Sequence, residues 1–343
     1  SQHASPSATS TYPYRVMVVD DSATLRGFVR NWVADIDDVE IVASCGNGMQ
    51  ALKAMPSSKP EIILLDLDMP VMDGMTALPL LMEKNPDVKV VVSSTLTTRN
   101  AQISLQALEN GAADYITKPS SFSGLAGSGD YKRILLEKVR AFGEVTRRER
   151  NEFLPVVKAA PHARSDASFE DVFRTPHQKA EHAYTFRPVS TVSPEIIALG
   201  ASTGGPQALQ QILSELHGQA LPPIVITQHM PATFTTLLAE HLTKTTGLPC
   251  EEAVCGGTLQ RGHVYIAPGD YHMTLVKDQE HITSIVAQTE QVNFCRPSVD
   301  PMFDSVARCF GASALALILT GMGRDGLDGA RTIANAGGTV FAQ

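Results

Sequence analysis

From Tyr14 onward, short runs of β-branched and aliphatic residues alternate with amphipathic stretches. Arg15–Val19 reads as a buried strand. Ser22 is placed to cap a helix whose apolar residues Leu25, Phe28, Val29 and Trp32 recur at i, i+3, i+4 and i+7. Further strand signals are Val39–Ser44, Ile62–Leu65, Val88–Val92 and Asp114–Thr117, with helical patterns between them. A last amphipathic stretch carries Ile134, Leu135, Val139 and Phe142. Five strands alternating with five helices predict a doubly wound parallel sheet, in which ligands sit beyond the carboxyl ends of the strands. The pattern lapses over 147–192, which holds RRER, scattered prolines and charges of both signs and reads as a linker. It resumes from Pro194 with strand signals at Glu195–Leu199, Ile224–Thr227 and Ala314–Leu319 and a hairpin-like segment, GHVYIAPGDYHMTL. The expected organisation is a disordered tail over 1–13, a domain over 14–146, a linker over 147–192 and a second domain over 193–343.

The carboxyl ends of the first set of strands carry chemistry. The first ends in Asp20 and Asp21, the third in Asp66, the fourth in Ser93 and Ser94, and the fifth in Lys118. Carboxylates held together repel, and a hard divalent ion such as Mg²⁺ relieves that repulsion. The ion and the lysine would also neutralise a phosphoryl group on one carboxylate. Any one of these Asp residues alone could be a helix cap. The full set on one rim is hard to explain that way.

This stretch resembles a response-regulator receiver domain. The resemblance implies Asp66 as phosphoacceptor, Asp20 and Asp21 as the metal-binding acidic pair, and the Asp68 backbone carbonyl as a further metal ligand. It also implies Ser93 as switch hydroxyl, Lys118 as phosphate contact, Tyr115 as the aromatic ring that reports the switch, and a histidine kinase as phosphodonor.

In the second half, the strand Glu195–Leu199 runs into GASTGG and then a helix. Strand, glycine-flanked serine, helix matches G-x-S-x-G, in which a sharp turn exposes the hydroxyl of Ser202. Backbone N–H groups at the helix start, Thr203 among them, are available to an oxyanion. A phosphate-binding turn is the competing reading, but the Lys-Ser/Thr of a P-loop and the G-x-G-x-x-G spacing are both missing. A plain tight turn is the other. Among ten histidines, His229 directly follows the strand Ile224–Thr227, so an adjacent parallel strand would bring it to the rim of Ser202. His263 and His272 are weaker alternatives. Asp325 follows Ala314–Leu319 and is placed to accept the Nδ1–H of His229. Asp300 competes but precedes a helix, where capping is the plainer role.

Composition narrows the field. Lys+Arg number 28 against 36 Asp+Glu, a net charge of −8, which disfavours non-specific binding to nucleic acid or anionic membranes. The second half has no basic recognition helix. The longest apolar runs, such as Ala314–Leu319, fall far short of the ~20 residues of a bilayer span. Ser1–Pro13 is polar and shows no signal-peptide pattern. Five cysteines with no CxxC pair argue against a disulfide framework or zinc ribbon and for a reducing, cytoplasmic setting.

GASTGGPQAL, ITQHMP, YIAPGDYHM, RPSVDPMF and TGMGRDG together resemble the catalytic domain of the CheB family, the chemotaxis response-regulator protein-glutamate methylesterases. The resemblance implies two doubly wound, mainly parallel-sheet α/β domains: a five-stranded flavodoxin-like receiver and a larger esterase domain with an antiparallel hairpin. It implies Ser202 as nucleophile, His229 as general base and then acid, Asp325 as orienter and the Met322 backbone N–H as an oxyanion donor. The substrates it implies are glutamyl methyl esters, and also glutamines, of methyl-accepting chemoreceptors. Ester hydrolysis then needs no cofactor, and the protein acts as a monomer without entering the membrane. Family members usually continue beyond the strand-like run that ends at Gln343, so this end is read as truncated, either by trimming or as a natural short end. Two other readings share these residues: a receiver-linked scaffold with a vestigial Ser-His-Asp set, and a protease or general esterase.

Overall fold

The computed structural model describes residues 12–119, 125–150, 190–278, 281–321 and 323–343. The expected tail up to residue 11, the linker over 151–189 and Met322 lie outside the described residues.

In the first half, β1 (Tyr14–Val19), β2 (Val39–Cys45), β3 (Ile62–Asp66), β4 (Lys89–Thr95) and β5 (Asp114–Lys118) form one parallel sheet in the order β2-β1-β3-β4-β5. Helices α1 (Ala23–Val33), α2 (Gly48–Ser58), α3 (Gly74–Lys84), α4 (Thr98–Glu109) and α5 (Leu125–Glu149) make the crossovers. All five β3 residues are buried, because helices cover both faces; its near-unbroken apolar run follows from that. The four helix starts from α1 to α4 are marked locally. Ser22, Asn47, Asp73 and Thr97 each accept the N–H three residues on.

α5 runs past the boundary expected at 146. Arg147, read as the start of a linker, is buried and makes a two-pronged contact with Glu61: Nε–Oε1 is 2.8 Å and Nη2–Oε2 is 2.9 Å. It also donates to the carbonyls of Tyr12 and Pro13 and lies 4.3 Å over the Tyr14 ring. Its charge is therefore a structural bolt between the helix end and the first strand, which composition alone does not reveal.

In the second half, the strands are β6 (Ile196–Ala201), β7 (Ile224–Gln228), β8 (Cys250–Glu252), β9 (Val264–Ile266), β10 (His272–Asp278), β11 (His281–Ala287), β12 (Ala314–Ile318) and β13 (Thr339–Ala342). The helices are α6 (Gly205–Leu216), α7 (Ala232–Thr246), α8 (Val299–Phe310) and α9 (Leu327–Asn335). Six strands make a parallel sheet, β13-β12-β6-β7-β9-β8, and β10–β11 form a separate antiparallel pair. GHVYIAPGDYHMTL is thus not itself a hairpin. β9 joins the parallel sheet beside β7, and β10 leaves to pair with β11. Pro268 and Gly269 break the run between them. Gly269 lies so close to the backbone of Pro231 and Ala232 that a Cβ would collide with it.

The two halves share one continuous apolar cluster. Leu105, Leu108 and Tyr115 of the first belong to the same buried group as Phe234 and Leu238 of the second. Tyr115 stacks on Phe234 with ring centroids 4.4 Å apart and planes 5° from parallel. Among the described residues, no helix is long and apolar enough to cross a membrane.

Candidate active site

Ser202 directly follows β6, and His229 directly follows β7. The two strands pair with Ala201 opposite Gln228, so the next residue of each leaves the sheet at the same height. Gly204, at φ +73°, turns the chain into α6. Gly205 is required by space: a Cβ there would strike the Gln228 side chain. The left-handed residue of this turn is thus Gly204, not the serine. Gln228 Nε2 donates to the Ser202 carbonyl at 2.9 Å and pins the turn to β7.

The His229 ring links the other two side chains. Nδ1 lies 3.1 Å from Ser202 Oγ, and Nε2 lies 2.7 Å from Asp325 Oδ2. This reverses the expected ring orientation, in which Nδ1–H faced the aspartate. The sheet order explains it. β6 sits between β7 and β12, so Ser202 is the neighbour of His229 while Asp325 lies two strands away. The ring nitrogen nearer the backbone meets the serine, and the distal one reaches the acid.

Asp325 is held from several sides. Its Oδ1 accepts from Ser298 Oγ at 2.5 Å and Asn293 Nδ2 at 2.9 Å, and its Oδ2 accepts from Val299 N–H at 2.7 Å. Ser298 and Val299 open α8, so a helix N-terminus points at this carboxylate. Burial works against the charge, yet these donors and His229 hold the Asp325 carboxyl well below the usual range. For His229, burial favours the neutral ring, but Asp325 and the Cys295 sulfur together lift it to about 9. Asp300, the competing acid, accepts from Gly329 N–H at 2.7 Å in the first turn of α9 and from Asn293. It caps a neighbouring helix and does not reach His229. His263 lies beside Glu251, and His272 bonds to Glu290 and Ser298, so neither reaches Ser202.

At the rim of the first sheet, Lys118 Nζ bridges Asp20 Oδ2 at 2.8 Å and Asp66 Oδ2 at 2.7 Å. Asp20, Asp21 and Asp66 offer oxygens within 4.8 Å of one another. Asp20 Oδ2 is buried, and although Lys118 is near it, it has no hydrogen bond of good direction. Asp68 is exposed and accepts from Asn100 Nδ2. An oxygen-rich set with one under-satisfied buried oxygen fits a hard divalent cation such as Mg²⁺. Burial, reinforced by Asp20 and opposed by Lys118, pushes Asp66 up to about 6. Ser93 lies opposite Asp66 in the sheet register, fully buried, with its Oγ 3.2 Å from the Tyr131 hydroxyl.

Comparison with known proteins assigns both halves. Residues 16–127 match the response regulator receiver domain, and residues 197–343 match the CheB methylesterase family. A protein-glutamate methylesterase/protein-glutamine glutaminase of Rhodospirillum rubrum is 45% identical over 96% of this chain and 86% of its own length. One from Azospirillum brasilense is 45% identical over 96% of this chain and 84% of its own. The chain belongs to the CheB methylesterase family. It consists of a receiver domain followed by a methylesterase domain.

In this CheB family member the receiver sits against the lip that carries Ser202. Asp114 Oδ2 accepts from Gly204 N–H at 3.2 Å and also pairs with Lys138 at 2.5 Å. Gln207 Nε2 donates to the Ala112 carbonyl at 2.7 Å, and His241 Nδ1 lies 2.8 Å from Glu109. A cavity of about 480 Å³ lies between the domains, lined by Asp114, Tyr115, Arg133, Ser202, His229 and Phe294 among others. Asp114, Gln228, Asn293, Cys295 and Ser298 escaped the sequence reading. Only RPSVDP offered a signal, since Ser298 precedes a helix there; the others matter through contacts distant in the chain.

Proposed function

We propose that Ser202, His229 and Asp325 hydrolyse glutamyl methyl esters on the cytoplasmic helical bundle of methyl-accepting chemoreceptors, and that phosphorylation of Asp66 exposes them. The observation that carries this reading is the unbroken chain from Ser202 Oγ through the imidazole to a multiply anchored carboxylate.

Neutral His229 accepts the Ser202 proton at Nδ1 as Oγ attacks the ester carbonyl carbon. The Nε2–H bond to Asp325 stabilises the imidazolium that forms. The tetrahedral oxyanion is met by the Thr203 N–H, which among the described residues makes no other hydrogen bond; the family resemblance implies the N–H of Met322, outside the described residues, as a second donor. Each such donor contributes on the order of 3 kcal/mol. The imidazolium returns its proton to the departing methoxide, so methanol leaves and a glutamyl ester of Ser202 remains. Water, deprotonated by the same nitrogen, attacks that ester, releasing the glutamate and restoring the serine. A glutamine side chain follows the same route with ammonia leaving.

At the other rim, Asp66 accepts a phosphoryl group from a histidine kinase, and Lys118 and Ser93 contact it. Asp20, Asp21, Asp66 and the Asp68 carbonyl would hold a Mg²⁺ ion, which would supply charge neutralisation for that transfer. In the unphosphorylated chain the receiver lines the site, and its Asp114 engages the amide two residues after the nucleophile. A helical substrate needs that face cleared. Phosphorylation shifts the population toward the separated arrangement. Both partners place the reaction in the cytoplasm, and one copy of the chain carries every group used.

The deciding measurement is methanol release from methylated receptor, with and without a small phosphodonor and Mg²⁺. Ser202→Ala abolishes release and labelling by a fluorophosphonate while circular dichroism is unchanged. Substantial hydrolysis by that variant would reject Ser202 as nucleophile. A wild-type chain that never labels would favour the scaffold reading.

A further inference from the structure

Cys295 has no part in the ester chemistry, yet it stands at the same imidazole. Its Sγ lies 3.8 Å from His229 Nδ1, the nitrogen that faces Ser202 Oγ. The chain spends strain to put it there. Val292 and Cys295 exchange both backbone hydrogen bonds, at 3.2 and 2.9 Å, around a two-residue turn. The turn residues Asn293 and Phe294 have φ of +54° and +61°, a left-handed pair in which neither is glycine. Asn is at ease there, but a bulky residue such as Phe is strained. The turn leaves Phe294 79% exposed at the cavity, swings Asn293 onto Asp325 and Asp300, and aims the thiol at the ring.

We propose that His229 Nδ1, Cys295 Sγ and Ser202 Oγ form a binding site for a thiophilic divalent cation of the zinc type. Nitrogen and sulfur donors select borderline-soft metals over Mg²⁺ or Ca²⁺. A tetrahedral ion about 2.0 Å from nitrogen and about 2.3 Å from sulfur holds those atoms about 3.5 Å apart, a few tenths of an ångström inside the 3.8 Å seen here. Three protein donors leave a fourth position for water on the cavity side, where all three residues lie. The outer shell is also in place. The other ring nitrogen donates to Asp325, the carboxylate–histidine arrangement that orients metal-bound imidazoles. His229, Cys295 and Asp325 have ligand atoms within 4.8 Å of one another, but Asp325 is already taken by Nε2, Ser298, Asn293 and Val299. It acts through the ring, not on the ion.

The consequence rests on the proposed esterase mechanism: an ion on Nδ1 occupies the lone pair that must accept the serine proton. Zinc is then a reversible inhibitor that competes with catalysis at both the base and the nucleophile.

The test reads binding separately from activity. Co²⁺ is added to the full-length chain, and the sulfur-to-cobalt charge-transfer band is followed in the near ultraviolet. The band should appear in the wild type and be lost in both Cys295→Ala and His229→Gln, with circular dichroism confirming that each variant is folded. In parallel, Zn²⁺ should slow iodoacetamide alkylation of Cys295 at least tenfold while leaving the exposed Cys255 unprotected, read by peptide mass spectrometry, and a chelator should reverse it. No band in the wild type, a band that persists in Cys295→Ala, or equal protection of both cysteines would overturn the site. Binding without inhibition of methanol release would keep the metal site and count against His229 as the base.

Discussion

At the residue scale, the proton inventory of two side chains sets how this protein responds to pH. With its pKa raised to about 9, His229 is neutral in only a small fraction at neutral pH, and only that fraction can take the serine proton or bind a metal ion. The base appears only as pH rises through that value. kcat/KM for methanol release should therefore climb about tenfold per pH unit below it. A profile flat between pH 6 and 9 would contradict this. Asp66 runs the other way. Its carboxyl, raised to about 6 by burial, is a neutral acid at lower pH and a poor nucleophile for phosphorus. Labelling of Asp66 by a small phosphodonor should fall as pH drops through about 6, and Mg²⁺ should move that midpoint down. The sign for stability follows as well. The raised value means this group favours the fold at low pH, and that contribution is lost as pH rises through about 6.

At the element scale, the end of α5 shows how an apparent loop becomes structure. Arg147 and Glu61 are both buried, and neither could stay so without the other. Arg147→Ala leaves a carboxylate buried without its counterion, which costs about 3–5 kcal/mol. The expected result is a lower denaturation midpoint for the receiver, read by urea titration; a change within error would mean that α5 is held by its apolar face alone. The alternation of apolar residues located all five strands of the first half and β6, β7, β12 and β13 of the second, because the period of burial is a local property, while β8 and β11 carry no such mark. It failed at GHVYIAPGDYHMTL, where two short runs looked like partners. Which strand β9 pairs with is decided by β7, where Ile224 lies opposite Val264, about 40 residues later in the chain, and no local pattern records that.

At the scale of the whole molecule, the two domains act as one object. The stack of Tyr115 on Phe234 joins their apolar clusters, and polar contacts from Asp114 and Gln207 fix the register of the interface. Tyr115 was expected as the ring that reports the receiver's switch. Here it is buried against the methylesterase domain, so a change around Asp66 and Ser93 that reached Tyr115 would be felt directly at the interface. Asp114→Ala removes a charged acceptor from the Gly204 amide, an interaction of ~1.5 kcal/mol, and should raise basal methanol release of the unphosphorylated chain about tenfold. Phosphodonor should then add correspondingly less. Unchanged basal release would separate this contact from gating.

Residue pattern alone places the doubly wound sheet of the first half and the residues at its rim, because burial period, helix caps and strand ends are all written within a few residues; the sheet of the second half follows from the family resemblance of its motifs. The sequence also named Ser202, His229 and Asp325, since a parallel sheet carries successive strand ends to one edge. Packing in three dimensions sets which ring nitrogen faces the serine, what anchors Asp325, that Arg147 belongs to the fold, and that Asp114 and Cys295 stand at the lip of Ser202. Those facts depend on distances between segments up to about 140 residues apart, and a side chain's charge or thiol looks the same in the sequence whether it meets water or an imidazole.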